Sequence, residues 1–225
     1  MTASYHTHHT ADPAEAAVAV LNATLMHVPF DGWSDAALAA GAADAGVSFD
    51  RVAVLFPKGA IDAIALHSRL ADAEMVAAFE ALPEPPQKTH LAIRALVLLR
   101  LELAQANKDA VRRALSCLAL PAHAKLSAEL LYATVDTMWR AAGQQDTGVS
   151  FYTRRATLAA VYSSTMLAWL ADNSGAMDKT VAFLDRRLAN VASIPKALAP
   201  LRGMQAVGER FASAMLKNLG RRHAR

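Results

Sequence analysis

Apolar residues recur along this chain at three- and four-residue intervals, and β-branched residues do not cluster at every second position. That period predicts helices throughout and no strand. Asp12-Pro13 opens the first helix, with the aspartate placed to cap and the proline suited to a first turn; the helix is predicted to stop near His27, ahead of Val28-Pro29. A second runs from Ser34 to Gly46, a short third from Phe49 to Phe56 with Pro57 closing it, and a long fourth from Lys58 to Leu82. The string PEPP at 83–86 breaks the pattern, and three more helices are predicted over about 87–106, 109–118 and 121–143. GQQDTGVS, at 143–150, reads as a loop. The segment from Val149 to Leu170 reads as an eighth helix, and a ninth runs from beyond Asn173-Ser174-Gly175 to about Ser193. Pro195 and Pro200 set off a last, basic helix ending near Leu219.

These elements divide the chain into a polar tail at 1–11, a helix-turn-helix-like module at 12–57, a helical bundle at 58–194 and an amphipathic helix at 195–225. The fold class is all-α, with about nine helices in the body. Of the 225 residues 54% are apolar and 19% charged, enough apolar surface for a substantial core and against a disordered chain. No apolar run reaches the roughly 18 residues that span a bilayer, and the opening MTASYHTHHT has no secretory core. Cys117 is the single cysteine and reads as a buried small apolar residue in a reducing compartment. The charge is lopsided: residues 1–149 hold 11 basic and 16 acidic side chains, and residues 150–225 hold 12 and 4. A basic end on an acidic body suits an anionic partner such as a membrane surface or nucleic acid.

The stretch GWSDAALAAGAADAGVSFDRVAVLFP, helix, tight turn at Gly46 and short second helix, resembles the N-terminal module of TetR-type regulators. Charge argues against DNA as the partner. Residues 1–60 carry Arg51 and Lys58 against six acidic side chains, and the short helix SFDRVAVLF lacks the Lys, Asn and Gln that join arginine in reading base edges. A TetR-like fold without the DNA binding is the expectation.

From Val135 onward the chain becomes more specific. VDTMWRAAG, FYTRRATLAAVYSSTMLAWLADNS and TVAFLDRRL together resemble the ubiquinone-biosynthesis accessory family, the ninth coenzyme-Q protein and its bacterial relatives. The resemblance spans roughly residues 20–190, and the string at 152–162 carries most of it. It implies a TetR-like helical fold, a homodimer, an apolar lipid pocket and a C-terminal helix that docks on membranes. It further implies presentation of a hydrophobic quinone precursor to a late hydroxylase, with no enzyme activity of the chain's own and no cofactor. The family often places an acidic residue and a tryptophan ahead of the Tyr-Thr-Arg-Arg string, where this chain has Gly148 and Phe151. That region serves as a partner-binding patch in relatives, so Asp136, Phe151, Tyr152 and Arg155 are the candidate partner residues.

Read physically, the eighth helix places Tyr152, Leu158, Tyr162, Met166 and Trp169 on one face. The seventh adds Leu131, Val135, Met138 and Trp139, and the fifth adds Leu99 and Leu103. Singly each is ordinary core. Together they carry more apolar surface than one bundle needs, and they are the candidate lining for an isoprenoid lipid or phospholipid held between helices five, seven and eight. Tyrosine and tryptophan suit the rim of such a site, and methionine adapts to a flexible chain. Arg154 and Arg155 lie near a helix start, where the macrodipole disfavours cations. One of them is expected to pair with Asp136 or Asp146, leaving the other for an interface.

On a helical wheel the last helix gathers Leu201, Met204, Val207, Phe211, Met215 and Leu219 within about 120°. Arg202, Glu209, Arg210, Ser213 and Lys217 lie opposite, with Arg221, Arg222 and Arg225 beyond them. An apolar stripe under a basic face is the pattern of a helix lying in a membrane interface, and half-embedding six such side chains gives about 6 kcal/mol. The alternative is packing on the domain itself or across a dimer. Phosphate loops, dinucleotide glycine motifs, a Gly-x-Ser-x-Gly elbow and a Glu-x-x-His pair are all absent. His6, His8 and His9 cluster in the polar tail and read as no metal site. The leading expectation is a lipid-binding accessory protein peripheral on the inner, cytoplasmic membrane. A TetR-like transcription regulator with an apolar effector pocket, and a helical interaction subunit whose hollow is only core, stand as alternatives.

Overall fold

A computed structural model describes residues 12–144 and 149–192, the side chains of 149–151 excepted. The tail with His6, His8 and His9, together with Asp146, Gly148, the Phe151 side chain and the amphipathic helix from Leu201 to Leu219, lies outside the described residues. Every regular element among the described residues is helical: α1 Pro13–Asp31, α2 Asp35–Asp44, α3 Phe49–Leu55, α4 Ala60–Glu80, α5 Thr89–Leu103, α6 Lys108–Leu118, α7 Ala124–Ala141, α8 Val149–Ala171, and α9 over 178–192. Short 3₁₀ turns at Gln105–Asn107 and Pro121–His123 lead into α6 and α7, where the periodicity predicts the end of the fifth helix and the start of the seventh.

Local chemistry explains the ends. The Asp12 carboxylate accepts from the Ala14 amide and the Ser34 hydroxyl oxygen accepts from the Ala37 amide, so α1 and α2 both begin on a side-chain cap. α1 overruns the predicted stop. Pro29 sits inside its last turn, where it forgoes one i−4 bond without breaking the helix, and Gly32, at φ 67°, ends the helix by donating to the Val28 carbonyl. Gly46, at φ 66°, supplies the left-handed turn between α2 and α3.

α1, α2 and α3 close over Val20, Leu21, Leu38, Val52 and Phe56, a small core completed by Ala63 of α4. The larger core joins α4, α5, α7, α8 and α9 through Met75, Leu96, Val135, Met138, Trp169 and Leu184, all nearly inaccessible. The module is fastened to the bundle by polar bonds as well as packing. Trp33 Nε1 donates to the Ala110 carbonyl at 2.9 Å, and Arg113, paired with Asp109, donates to the Pro29 carbonyl at 2.8 Å. Cys117, expected in the core, is only half-buried, packed at the edge of the cluster of Ile64, Ala114 and Leu118.

Candidate functional site

Two hollows stand out among the described residues. The larger, about 700 Å³, lies between the N-terminal halves of α5 and α8 and the C-terminal half of α9. Ile93, Trp139, Leu158 and Val161 form its floor, and Leu188 and Val191 form a wall. Polar groups gather at the edge: His90, Thr153, Arg154, and the pair Arg94–Asp185. Arg94 grips Asp185 with two bonds of 2.6 and 3.1 Å, tying α5 to α9, and that guanidinium holds the Asp185 carboxyl below the usual carboxylate range. The volume is that of a drug-sized ligand site, and apolar walls with a few polar groups are the ordinary make-up of one.

The smaller hollow, about 220 Å³, is walled by α4 to α8. Beside it runs a buried polar chain. Arg100 Nε donates to Asp72 Oδ1 at 2.9 Å, and the Thr134 hydroxyl donates to the same carboxylate at 2.8 Å, linking α4, α5 and α7. Burial pushes the Asp72 carboxyl up, and Arg100 and Thr134 pull the other way. His67 borders the hollow with its ring 5.6 Å from that of Trp33; burial, with a lesser contribution from the Arg100 charge, lowers it to about 4, so the imidazole is neutral at physiological pH.

The ten residues expected to line one site are spread across the bundle. Trp139 and Leu158 line the larger hollow, and Leu131, Tyr162 and Met166 line the smaller. Val135, Met138 and Trp169 are filled core, Leu99 packs against that core, and Leu103 is exposed. Between α5, α7 and α8 the space is filled at Val135, Met138 and Trp169, and the larger hollow sits to one side of these residues, with α9 as a wall. Sequence reasoning missed the α9 residues, although Val181, Leu184, Leu188 and Val191 carry the helical spacing that could have found them.

The two arginines near the start of α8 are placed differently from one another. α8 begins at Val149, as the helical reading of 149–170 has it, so Arg154 and Arg155 lie in its second turn, past the strongest reach of the macrodipole. Arg155 Nε donates to Asp136 Oδ1 at 2.8 Å, and exposed Arg140 holds the other carboxylate oxygen at 2.7 Å. The Arg155 side chain is only 5% exposed, so of the candidate partner residues it lies beneath the surface while Tyr152 stands out from it at 71%. Arg154 faces the larger hollow instead, at its edge.

A family model for COQ9 matches residues 124–195. The human ubiquinone biosynthesis protein COQ9, mitochondrial, is 34% identical over 176 residues, covering 75% of this chain and 55% of that protein. The Drosophila melanogaster protein of the same name is 28% identical over 203 residues, 88% of this chain and 62% of its own length. The chain thus spans about half the length of the human relative. Among solved structures, a TetR transcriptional regulator from Nitrosomonas europaea superposes with a TM-score of 0.61 at 21% identity, covering 78% of this chain and 97% of the regulator. That likeness shows the fold, and the sequence likeness carries the lineage: the chain belongs to the COQ9 family, built on a TetR-like helical bundle.

Proposed function

We propose that this chain is a lipid-binding accessory protein of ubiquinone biosynthesis. Its larger hollow holds the hydrocarbon of an isoprenoid quinone precursor or a phospholipid and offers it to a membrane-associated hydroxylase. The observation that carries the reading is the 700 Å³ hollow with its apolar floor and wall and its polar edge, in a chain whose relatives are named for that pathway. Among the described residues no helix is long and apolar enough to cross a membrane, so the contact proposed is peripheral, through the basic amphipathic segment 195–225. DNA is a poor competitor, because α3 presents Phe49 and Val54 outward beside Asp50.

Purified protein is extracted and analysed by mass spectrometry for isoprenoid and phospholipid. The expected result is stoichiometric lipid that falls severalfold when Ala189→Trp narrows the larger hollow. Lipid content unchanged by that substitution overturns the site, and flotation with anionic liposomes that survives removal of 196–225 overturns the docking. A homodimer belongs to the same reading. Ala156, Ala160, Leu167 and Ala171 form an exposed line of mostly small side chains on α8, and sedimentation of Leu167→Glu is expected to shift toward monomer if a second copy packs there.

A further inference from the structure

The smaller hollow is separated from the larger one by packed core and differs from it in chemistry. Its apolar lining comes from Ile64, Leu118, Leu131 and Met166. Its polar lining is led by Tyr162, a residue only 2% exposed whose hydroxyl makes no hydrogen bond to another described residue. Yet no fully enclosed side-chain polar atom among the described residues lacks a partner. The Tyr162 hydroxyl is therefore reached from the hollow, and it is a donor waiting for an acceptor. Ser68 and Ser163 line the same space.

The net charge around the hollow is close to zero. Arg100 is answered by Asp72, and His67 is neutral. Burial raises the Tyr162 hydroxyl above its ordinary range, so it stays protonated and donates. An anionic ligand would meet a cation already paired and a carboxylate in the same pair, and its own desolvation would go uncompensated. A fully apolar ligand would leave the tyrosine donor unmet. Size narrows the class further. An apolar cavity of about 150 Å³ holds benzene, so 220 Å³ has room for a single ring with small substituents and too little for the whole of a prenyl or acyl chain. We infer that this hollow is a second ligand site and binds a compact, neutral, single-ring aromatic carrying an oxygen acceptor, with Tyr162 donating to that oxygen and Met166 against the ring.

The test uses full-length protein with methyl-labelled methionine, the Met166 signal being assigned from Met166→Leu. Acetophenone, ethylbenzene and benzoate serve as matched probes: ring with acceptor, ring without, and ring with charge. Acetophenone is expected to saturate the Met166 shift about three- to tenfold more tightly than ethylbenzene, the worth of one neutral buried hydrogen bond, and benzoate to leave it unmoved. Tyr162→Phe should erase the difference between acetophenone and ethylbenzene while both still bind, and Ala189→Trp, which narrows the other hollow, should change neither. Equal binding of acetophenone and ethylbenzene to the unaltered protein overturns the inference. So does benzoate binding most tightly, a Tyr162→Phe variant that still prefers acetophenone, or loss of binding in Ala189→Trp. Circular dichroism confirms that each variant is folded, and ethylbenzene binding to Tyr162→Phe reports that the hollow itself is intact.

Discussion

Replacing Asp72 by leucine tests how the bundle is held together. Asp72 and Arg100 have side chains 9% and 8% exposed, and apart from Asp72 the arginine has the Ser68 carbonyl at 3.4 Å. Removing the carboxylate leaves a guanidinium in the core with one weak acceptor, and it strips the Thr134 hydroxyl of its partner. Breaking a buried pair in this way costs about 3–5 kcal/mol. Against a typical stability of about 5–15 kcal/mol that is a large fraction. Replacing the whole group by Asp72→Leu, Arg100→Met and Thr134→Val removes the stranded groups along with the pair, so most of the loss is expected to return. Urea titrations followed by helical circular dichroism give each free energy, with the slope checked for constancy across variants. The diagnostic quantity is the coupling between Asp72 and Arg100, expected to exceed about 2 kcal/mol. If Asp72→Leu costs under about 1 kcal/mol, or the single losses simply add in the combined variant, the arginine finds water through the adjoining hollow and the reasoning fails.

Gly41→Ala sets a helix-propensity gain of about 1 kcal/mol against a clash, since an added Cβ would sit 2.7 Å from Thr24 Cα on α1. The backbone cannot yield, so a net loss of about 1–3 kcal/mol is expected in a thermal melt. For His67 the sign runs toward acid instability. The folded state holds the ring down to about 4 while the unfolded chain protonates near 6.5, so stability present above pH 6.5 is lost as the pH falls toward 4. Between pH 7 and 5 the unaltered protein should lose about 2 kcal/mol more than His67→Gln. Asp136→Ala is expected to cost more than about 2 kcal/mol because Arg155 is buried, and Arg140→Ala under about 1 kcal/mol because Arg140 is exposed. Equal costs, measured by the same urea titration, would mean that the two arginines are not as differently placed as the geometry has them.

The helices are readable in the sequence because breakers and caps are local: Ser34, Gly46, Pro57 and the PEPP string each act within a few residues of themselves. The run of α1 through Pro29 is not, since a proline in a last turn and a terminating one look alike until the residues beyond them are placed. The Asp136 pairing is legible as a charge in need of a partner. Asp72 is not, and Arg100 is hidden within the apolar run LAIRALVLLRLELA. The hollows are the least legible feature. Periodicity says which face of a helix is apolar; it does not say whether the facing helix comes close enough to fill the space. Met138 and Trp169 fill it, whereas Leu158, with the same character, borders a void.

Val161 and Tyr162 are adjacent in sequence, about 100° apart around α8, and each looks into a different chamber. The helix is a party wall between them. One turn of a single helix thus gives each hollow its own face, and a substitution at either position alters the lining of one hollow alone.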